Sequence, residues 1–136
     1  MVDKADFQAF LDGISDCFIT HDFEPWRSRI ILPFSLVTSV GPIVLTTEEA
    51  LRENFELYLQ AVDAMKLDQV VRVPISFEDC VDGTWIGTYE TNLLSGGVRA
   101  TDPYISSALL IPYPDGLKMT SILNARGHHY WTGLSP

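Results

Sequence analysis

The chain has 136 residues, of which 46% are hydrophobic and 20% are charged, and its formal net charge is −9. This composition is typical of a single globular domain and excludes a disordered chain. Nucleic acid and anionic membrane surfaces are excluded as main partners, because both repel a protein of this charge.

The two cysteines, Cys17 and Cys80, do not form a Cys-x-x-Cys motif, so neither a zinc ribbon nor a redox motif is predicted. The sequence leaves a disulfide between them open, but reduced thiols in a cytoplasmic protein are favoured. The first residues lack the basic and then apolar pattern of a signal peptide, and no apolar run is long enough to cross a bilayer.

Three helices are predicted in the first half of the chain. Asp3 is the expected N-cap of an amphipathic helix over residues 4–20. A short helix over 24–29 follows, with Pro25 near its first position. Thr46 and Glu49 have the spacing of a capping box, which predicts a long helix over 47–66 with one apolar stripe.

The other segments alternate with a period of two and predict strands at 30–40, 43–45, 69–78, 84–94, 105–113 and 117–126. In the strand from residue 69, the odd-numbered face is apolar after Gln69 and is expected to be buried, and Pro74 predicts an edge or a bulge. Asp82-Gly83 and Asp115-Gly116 are the expected hairpin turns, and residues 99–104 a loop. The order predicts an α+β fold with helices on one face of a curved, mainly antiparallel sheet.

This order resembles the nuclear transport factor 2-like superfamily, and within it the SnoaL-like polyketide cyclases and the ketosteroid isomerases. The matching segments are residues 7–18, the turn 21–23 with Trp26, the strand ending at Gly41, the helix 46–65 and the last hairpin. The resemblance implies one domain over residues 1–136, folded as a cone-shaped barrel around an apolar pocket. It also implies a homodimer through the outer face of the sheet.

The last hairpin supports a dimer independently of the resemblance. With Asp115-Gly116 as the turn, both faces of the hairpin are largely apolar, so one face needs a partner in addition to the helices. The predicted dimer residues on the outer face are Leu109, Ile111, Thr120, Ile122 and Asn124.

The resemblance also implies acids that this chain lacks. At the isomerase positions of a tyrosine, a basic aspartate and a protonated aspartate, the chain has Ile14, the pair Thr38-Ser39 and Ala108. Glu90, in the middle of the strand 84–94, is the remaining candidate general acid or base.

Two orientations are open for Glu90. The apolar alternation of Trp85, Gly87, Tyr89 and Leu93 points its side chain outward, whereas the family spacing back from Gly96 points it into the pocket.

The leading hypothesis is a SnoaL-like protein that binds a small apolar molecule, with a lyase or isomerase on an apolar or polyketide-like substrate as its catalytic form. The alternative is a non-catalytic, dimeric module that binds a ligand or another protein. No cofactor and no metal are predicted, because the adjacent His128 and His129 point to opposite sides of an extended chain. The predicted pocket residues are Ile14, Trp26, Phe34, Leu36, Tyr58, Leu110, Ser121 and Leu123.

Overall fold

A computed structural model describes residues 2–39 and 41–123. Within them, the helices are α1 (Lys4–Thr20), α2 (Phe23–Arg27) and α3 (Glu48–Met65). The strands are β1 (Ile30–Thr38), β2 (Gly41–Leu45), β3 (Gln69–Asp79), β4 (Trp85–Ser95), β5 (Val98–Arg99), β6 (Tyr104–Tyr113) and β7 (Gly116–Leu123). The predicted α+β class is confirmed.

The strands form one curved, unclosed sheet in the order β2-β1-β7-β6-β4-β3, with β5 added to β4. All neighbouring strands are antiparallel except β1 and β7, which are parallel. The predicted loop at 99–104 begins instead within β5, where Val98 and Arg99 pair with the end of β4. Helix α1 packs across β3 and β7 and thereby covers the concave face of the sheet.

The helix starts follow from local hydrogen bonds. Asp3 accepts from the amide of Asp6, and the Asp6 carboxylate accepts from the amide of Asp3, so α1 begins with a capping box. The N-cap of α3 is Thr47, one residue later than predicted, and its hydroxyl accepts from the Ala50 amide at 3.1 Å. The third helical position is therefore Ala50, whose methyl side chain cannot accept the hydrogen bond that would complete a capping box. Helix α2 begins at Phe23, two residues before Pro25.

The faces of β3 are the reverse of those predicted over its first half. Val70 and Arg72 are buried on the concave side, whereas Val73 and Ile75 are 46% and 49% exposed. The prediction was wrong because it assigned the apolar face of the strand to the interior. The outer face of this sheet is itself apolar here, so the alternation alone does not tell which face is buried.

A β-bulge restores the predicted orientation in the second half of β3. The register shifts between Pro74 and Ser76, which leaves Ile75 as the extra residue. Phe77 therefore turns inward and stacks between Phe7, at 5.1 Å between ring centroids, and Trp85, at 4.3 Å. Both features predicted from Pro74 are confirmed, because β3 has a bulge next to this residue and is also an edge strand of the sheet.

The hairpin of β6 and β7 turns one residue earlier than predicted. Tyr113 pairs with Gly116, so Pro114 and Asp115 are the turn residues, and Gly116 begins β7 with a φ of 132° that favours glycine.

A second bulge in the sheet lies within this hairpin, at Thr120 of β7, and it shifts the register between β6 and β7. Beyond it, Ser121 pairs with Leu109 and Ile122 pairs with the buried Ala108. Ile122 therefore lies on the concave face, and Leu123 lies on the outer face with 59% of its surface exposed.

Aromatic side chains join the three helices over the concave face. The ring centroid of Trp26 in α2 lies 4.9 Å from that of Phe55 in α3, and the ring centroid of Phe18 in α1 lies 5.2 Å from that of Phe55. Cys17 and Cys80 are free thiols. Over residues 2–39 and 41–123, no helix combines the length and the apolar character needed to cross a membrane.

Candidate functional site

A cavity of about 50 Å³ lies between the helices and the concave face of the sheet. All three helices and five strands contribute to its wall, so the whole fold positions it. The residues around it are Ile14, Phe18, Trp26, Phe34, Leu36, Asn54, Tyr58, Arg72, Tyr89, Thr91, Tyr104, Ser106, Met119 and Ile122.

Five of the eight predicted pocket residues lie at this cavity: Ile14, Trp26, Phe34, Leu36 and Tyr58. Leu110 is fully buried beside Gly87, in the part of the core that Phe7 occupies. Ser121 and Leu123 lie on the other side of β7, because the bulge at Thr120 reverses the faces that the predicted register implied.

The structure brings Met119 and Ile122 to the cavity in place of Leu110, Ser121 and Leu123. Whether any of these side chains contacts a ligand stays a prediction.

Glu90 lies on the outer face of β4, away from the cavity. It pairs laterally with Val73 and Ile105, and its Oε1 accepts a hydrogen bond from Asn92 Nδ2 at 3.1 Å. Asn92 Oδ1 in turn accepts from Arg99 Nε at 3.1 Å. Of the two predicted orientations of Glu90, the outward one, which follows from the apolar alternation of β4, is therefore correct. The inward one, which follows from the family spacing, is wrong. Glu90 thus has polar partners on the convex side and no route to the cavity.

Arg72 is the functional candidate that sequence reasoning missed. It is 7% exposed, its Nη1 donates to Ser15 Oγ at 2.9 Å, and its Cζ lies 5.7 Å from the centroid of the Phe18 ring. Ser15 Oγ donates onward to the carbonyl of Leu11 at 2.7 Å. The sequence offered one signal, Pro74. A bulge next to this proline allows Arg72 and Phe77 to face the same side of β3, although the two residues are five positions apart.

Three buried side-chain atoms have no hydrogen-bond partner in the part of the chain that the structure describes. They are Arg72 Nε, Thr91 Oγ1 and Asn54 Oδ1, and the residues that carry them all line this one cavity. Arg72 and Thr91 are lateral neighbours on β3 and β4, and Tyr104 follows on β6. Buried polar groups are nearly always paired, so a cluster of unpaired ones marks this cavity as distinct from ordinary core.

Three tyrosines add phenol groups to the cavity wall. Burial raises the pKa of Tyr89 to about 12 and also raises the pKa of Tyr58, although the positive charge of Arg72 lowers both. The hydroxyl of Tyr89 also hydrogen-bonds Ser106. The phenols of Tyr58 and Tyr89 are therefore neutral at physiological pH and serve as hydrogen-bonding groups.

No carboxylate is present among the described residues that line the cavity, and Arg72 is the one charged side chain there. Nor do residues 2–39 and 41–123 contain a group of three His, Cys, Asp or Glu side chains placed to hold a metal ion. His128, His129 and Asn124 lie outside those residues. The arrangement offers a cation, phenols and hydroxyls beside an apolar wall.

No family model matches the sequence, and no curated protein matches it. Solved structures do match the fold. One of them is an NTF-2 like protein of unknown function from Shewanella oneidensis, with a TM-score of 0.65 at 10% identity. The match covers 88% of this chain and 96% of that one.

Two further neighbours carry functional descriptions. A candidate dehydratase from the NTF2-like family of Streptomyces avermitilis has a TM-score of 0.61 at 16% identity, and the match covers 88% of this chain and 94% of that one. A candidate calcium/calmodulin-dependent protein kinase type II association domain from Thiobacillus denitrificans has a TM-score of 0.62 at 13% identity, with 85% and 90% covered. The chain thus has the nuclear transport factor 2-like fold that its sequence resembles, and at these identities the likeness shows the fold alone.

Proposed function

We propose that this protein binds a small molecule in the cavity and does so without carboxylate acid–base chemistry. The observation that carries the proposal is that three buried polar atoms, on Asn54, Arg72 and Thr91, have no partner within the described part of the chain and belong to residues that line one cavity. A domain that used this region only as core would gain stability by filling it with apolar groups, since each unpaired polar atom costs about 1–3 kcal/mol.

The catalytic form of the proposal, a lyase or isomerase on an apolar or polyketide-like substrate, has less support. General acid–base catalysis requires a titrating group within hydrogen-bond reach of the substrate. Glu90 lies on the opposite face of the sheet, and burial raises the pKa of Tyr58 and Tyr89 away from neutrality. Among the neighbours, the candidate dehydratase is of this catalytic class, whereas the candidate association domain is named for association and not for catalysis.

The size of the cavity also favours a small ligand over a polycyclic one. Pockets for drug-sized molecules typically measure about 300–1,000 Å³, whereas this cavity measures about 50 Å³. A polyketide-like substrate would therefore require the helices to move away from the sheet.

We also propose that the outer face of the sheet forms a homodimer. Val73, Ile86 and Ile105 are exposed there, and Leu109 lies beside them. Of the dimer residues predicted from the sequence, Leu109 and Ile111 keep that role. Ile122 does not, because the bulge turns it to the cavity.

A fragment screen with paired variants tests the binding proposal. Ligand-observed NMR with a library of compounds of up to about ten heavy atoms is run on the wild type, on Ile122→Trp and on Leu123→Trp. Ile122 lines the cavity and Leu123 is its outward-facing neighbour, so the added bulk should abolish binding in the first variant only. Hits that survive Ile122→Trp, or the absence of any hit for the wild type, would contradict the proposal.

A further inference from the structure

Among the residues that the structure describes, the cavity wall holds a positive charge without a negative one to balance it. Arg72 is 7% exposed, and none of the described residues around the cavity is an Asp or a Glu. A guanidinium cannot release its proton to escape burial, unlike a lysine or histidine. Because an uncompensated buried charge is costly, the missing negative charge is expected to come from the bound molecule.

The contacts of Arg72 leave one edge of its guanidinium for that molecule. Ser15 Oγ holds Nη1, and the Phe18 ring lies against the group, so its orientation is fixed. Nε is buried and has no hydrogen-bond partner among residues 2–39 and 41–123. Carboxylates bind arginine through two parallel N–H groups, and Nε–H is one of the pair on its side edge. The unpartnered Oγ1 of Thr91, on the neighbouring strand, can donate to the same anion.

Charge and volume narrow the class of anion. One guanidinium balances one negative charge, so a phosphate dianion would leave an excess charge buried in the cavity. A volume of about 50 Å³ holds roughly three to five water-sized groups, at about 10–15 Å³ for each. Phe34, Leu36 and Met119 supply an apolar wall for the remainder of the molecule.

We propose that the cavity binds a short-chain monocarboxylate, with its carboxylate on the Nε edge of Arg72 and its alkyl chain against the apolar wall. The inference rests on the proposed function and names the ligand class of that site.

Titration of the full chain with the series from acetate to hexanoate, at constant ionic strength, tests this assignment. Butyramide is the neutral probe of matched size, and inorganic phosphate is the anion of higher charge. Arg72→Met removes the cation, and Arg99→Met is the matched control because Arg99 is exposed on β5, outside the cavity. Titrations extend to about 50 mM, since so few atoms limit the affinity.

At least one carboxylate of the series should bind the wild type and Arg99→Met equally, and more tightly than butyramide or phosphate. Arg72→Met should weaken it by at least about 30-fold, as expected for the loss of one partner of a buried charge pair. If Arg72→Met does not fold, the Nε–H resonance of Arg72 in the wild type gives the same answer, because bound carboxylate should shift it.

Binding of carboxylates that is unchanged in Arg72→Met, an Nε–H resonance that does not move, or stronger binding of butyramide or phosphate would overturn the inference. The proposed function would survive those results if neutral fragments still bound the wild type and were lost in Ile122→Trp. If neither carboxylates nor neutral fragments bind, both ideas fail.

Discussion

Replacement of Gly87 by alanine should destabilise the protein, mainly through a clash with the ring of Phe7. A Cβ atom at Gly87 would lie 2.5 Å from Cε1 and Cζ of Phe7 and 2.9 Å from Cδ1 of Leu110. Phe7 cannot withdraw easily, because its ring is stacked on Phe77 at 5.1 Å and meets the edge of Tyr89 at 6.3 Å. The ring anchors α1, the helix that brings Ser15 to Arg72.

Two effects of opposite sign set the magnitude. Overpacking of a dense core costs about 1–3 kcal/mol. Loss of glycine freedom in the unfolded chain gains about 0.4–1 kcal/mol, because Gly87 has no positive φ that would strain an alanine. The free energy of unfolding should therefore fall by about 1–2 kcal/mol, which lowers the urea midpoint by roughly 0.5–1 M for a slope of about 2 kcal/mol per M.

Equilibrium urea unfolding of a double-mutant cycle with Phe7→Leu isolates the clash. Leucine lacks the two ring atoms nearest to the new methyl group, whereas the contact with Leu110 at 2.9 Å remains, so Gly87→Ala should cost less in that background without becoming neutral. The coupling free energy should be about 0.5–1 kcal/mol. An equal cost of Gly87→Ala in both backgrounds would refute the explanation, since the loss would then not depend on the Phe7 ring.

Four further outcomes are expected. Thr47→Ala should lower the free energy of unfolding by about 0.5–2 kcal/mol in urea melts, whereas Thr46→Ala should change it little, because Thr47 is the cap of α3. Glu90→Gln should leave the dissociation constant of any cavity ligand unchanged in titrations, and a large loss of affinity would contradict its outward placement. Ile105→Asp should convert dimer to monomer in sedimentation equilibrium at micromolar concentration, and a wild type that is already monomeric would refute the dimer. The raised pKa of Tyr89 favours the neutral phenol in the folded state, so stability present below pH 10 should decline between pH 10 and about pH 12, and less steeply in Tyr89→Phe.

Local signals predicted the elements of the fold well. The carboxylate of Asp3 and the apolar spacing of α1 act within a few residues, and the same holds for the strand alternation and the turn at Asp82-Gly83. For that reason the order of the elements, and with it the α+β class, followed from the sequence. The shift of the α3 cap from Thr46 to Thr47 shows the limit, because two adjacent threonines offer the same hydroxyl.

The candidate site was predicted only in part because it depends on which face of each strand is inward. Ile14, Trp26 and Phe34 lie at the cavity as expected, since their segments keep a regular period. Arg72 and Ile122 were assigned to the wrong face. Both strands carry a bulge. In β3 the apolar face, with Val73 and Ile75, is the outer one, and in β7 both faces are largely apolar, so the alternation does not tell which face is buried until the partner strands fix the register.

The bulge at Thr120 lets β7 present to the cavity two apolar side chains that are three positions apart, those of Met119 and Ile122. In a regular ladder of the same residues, Thr120 would pair with Leu109 and Ser121 with Ala108, so Ser121 would face the cavity and Ile122 would face outward. Deletion of Thr120 would not have this effect, because Ser121 would still pair with Leu109 and Ile122 with Ala108. A wall residue can therefore be exchanged in this architecture by any replacement that removes the bulge, even though neither Ser121 nor Ile122 is itself replaced.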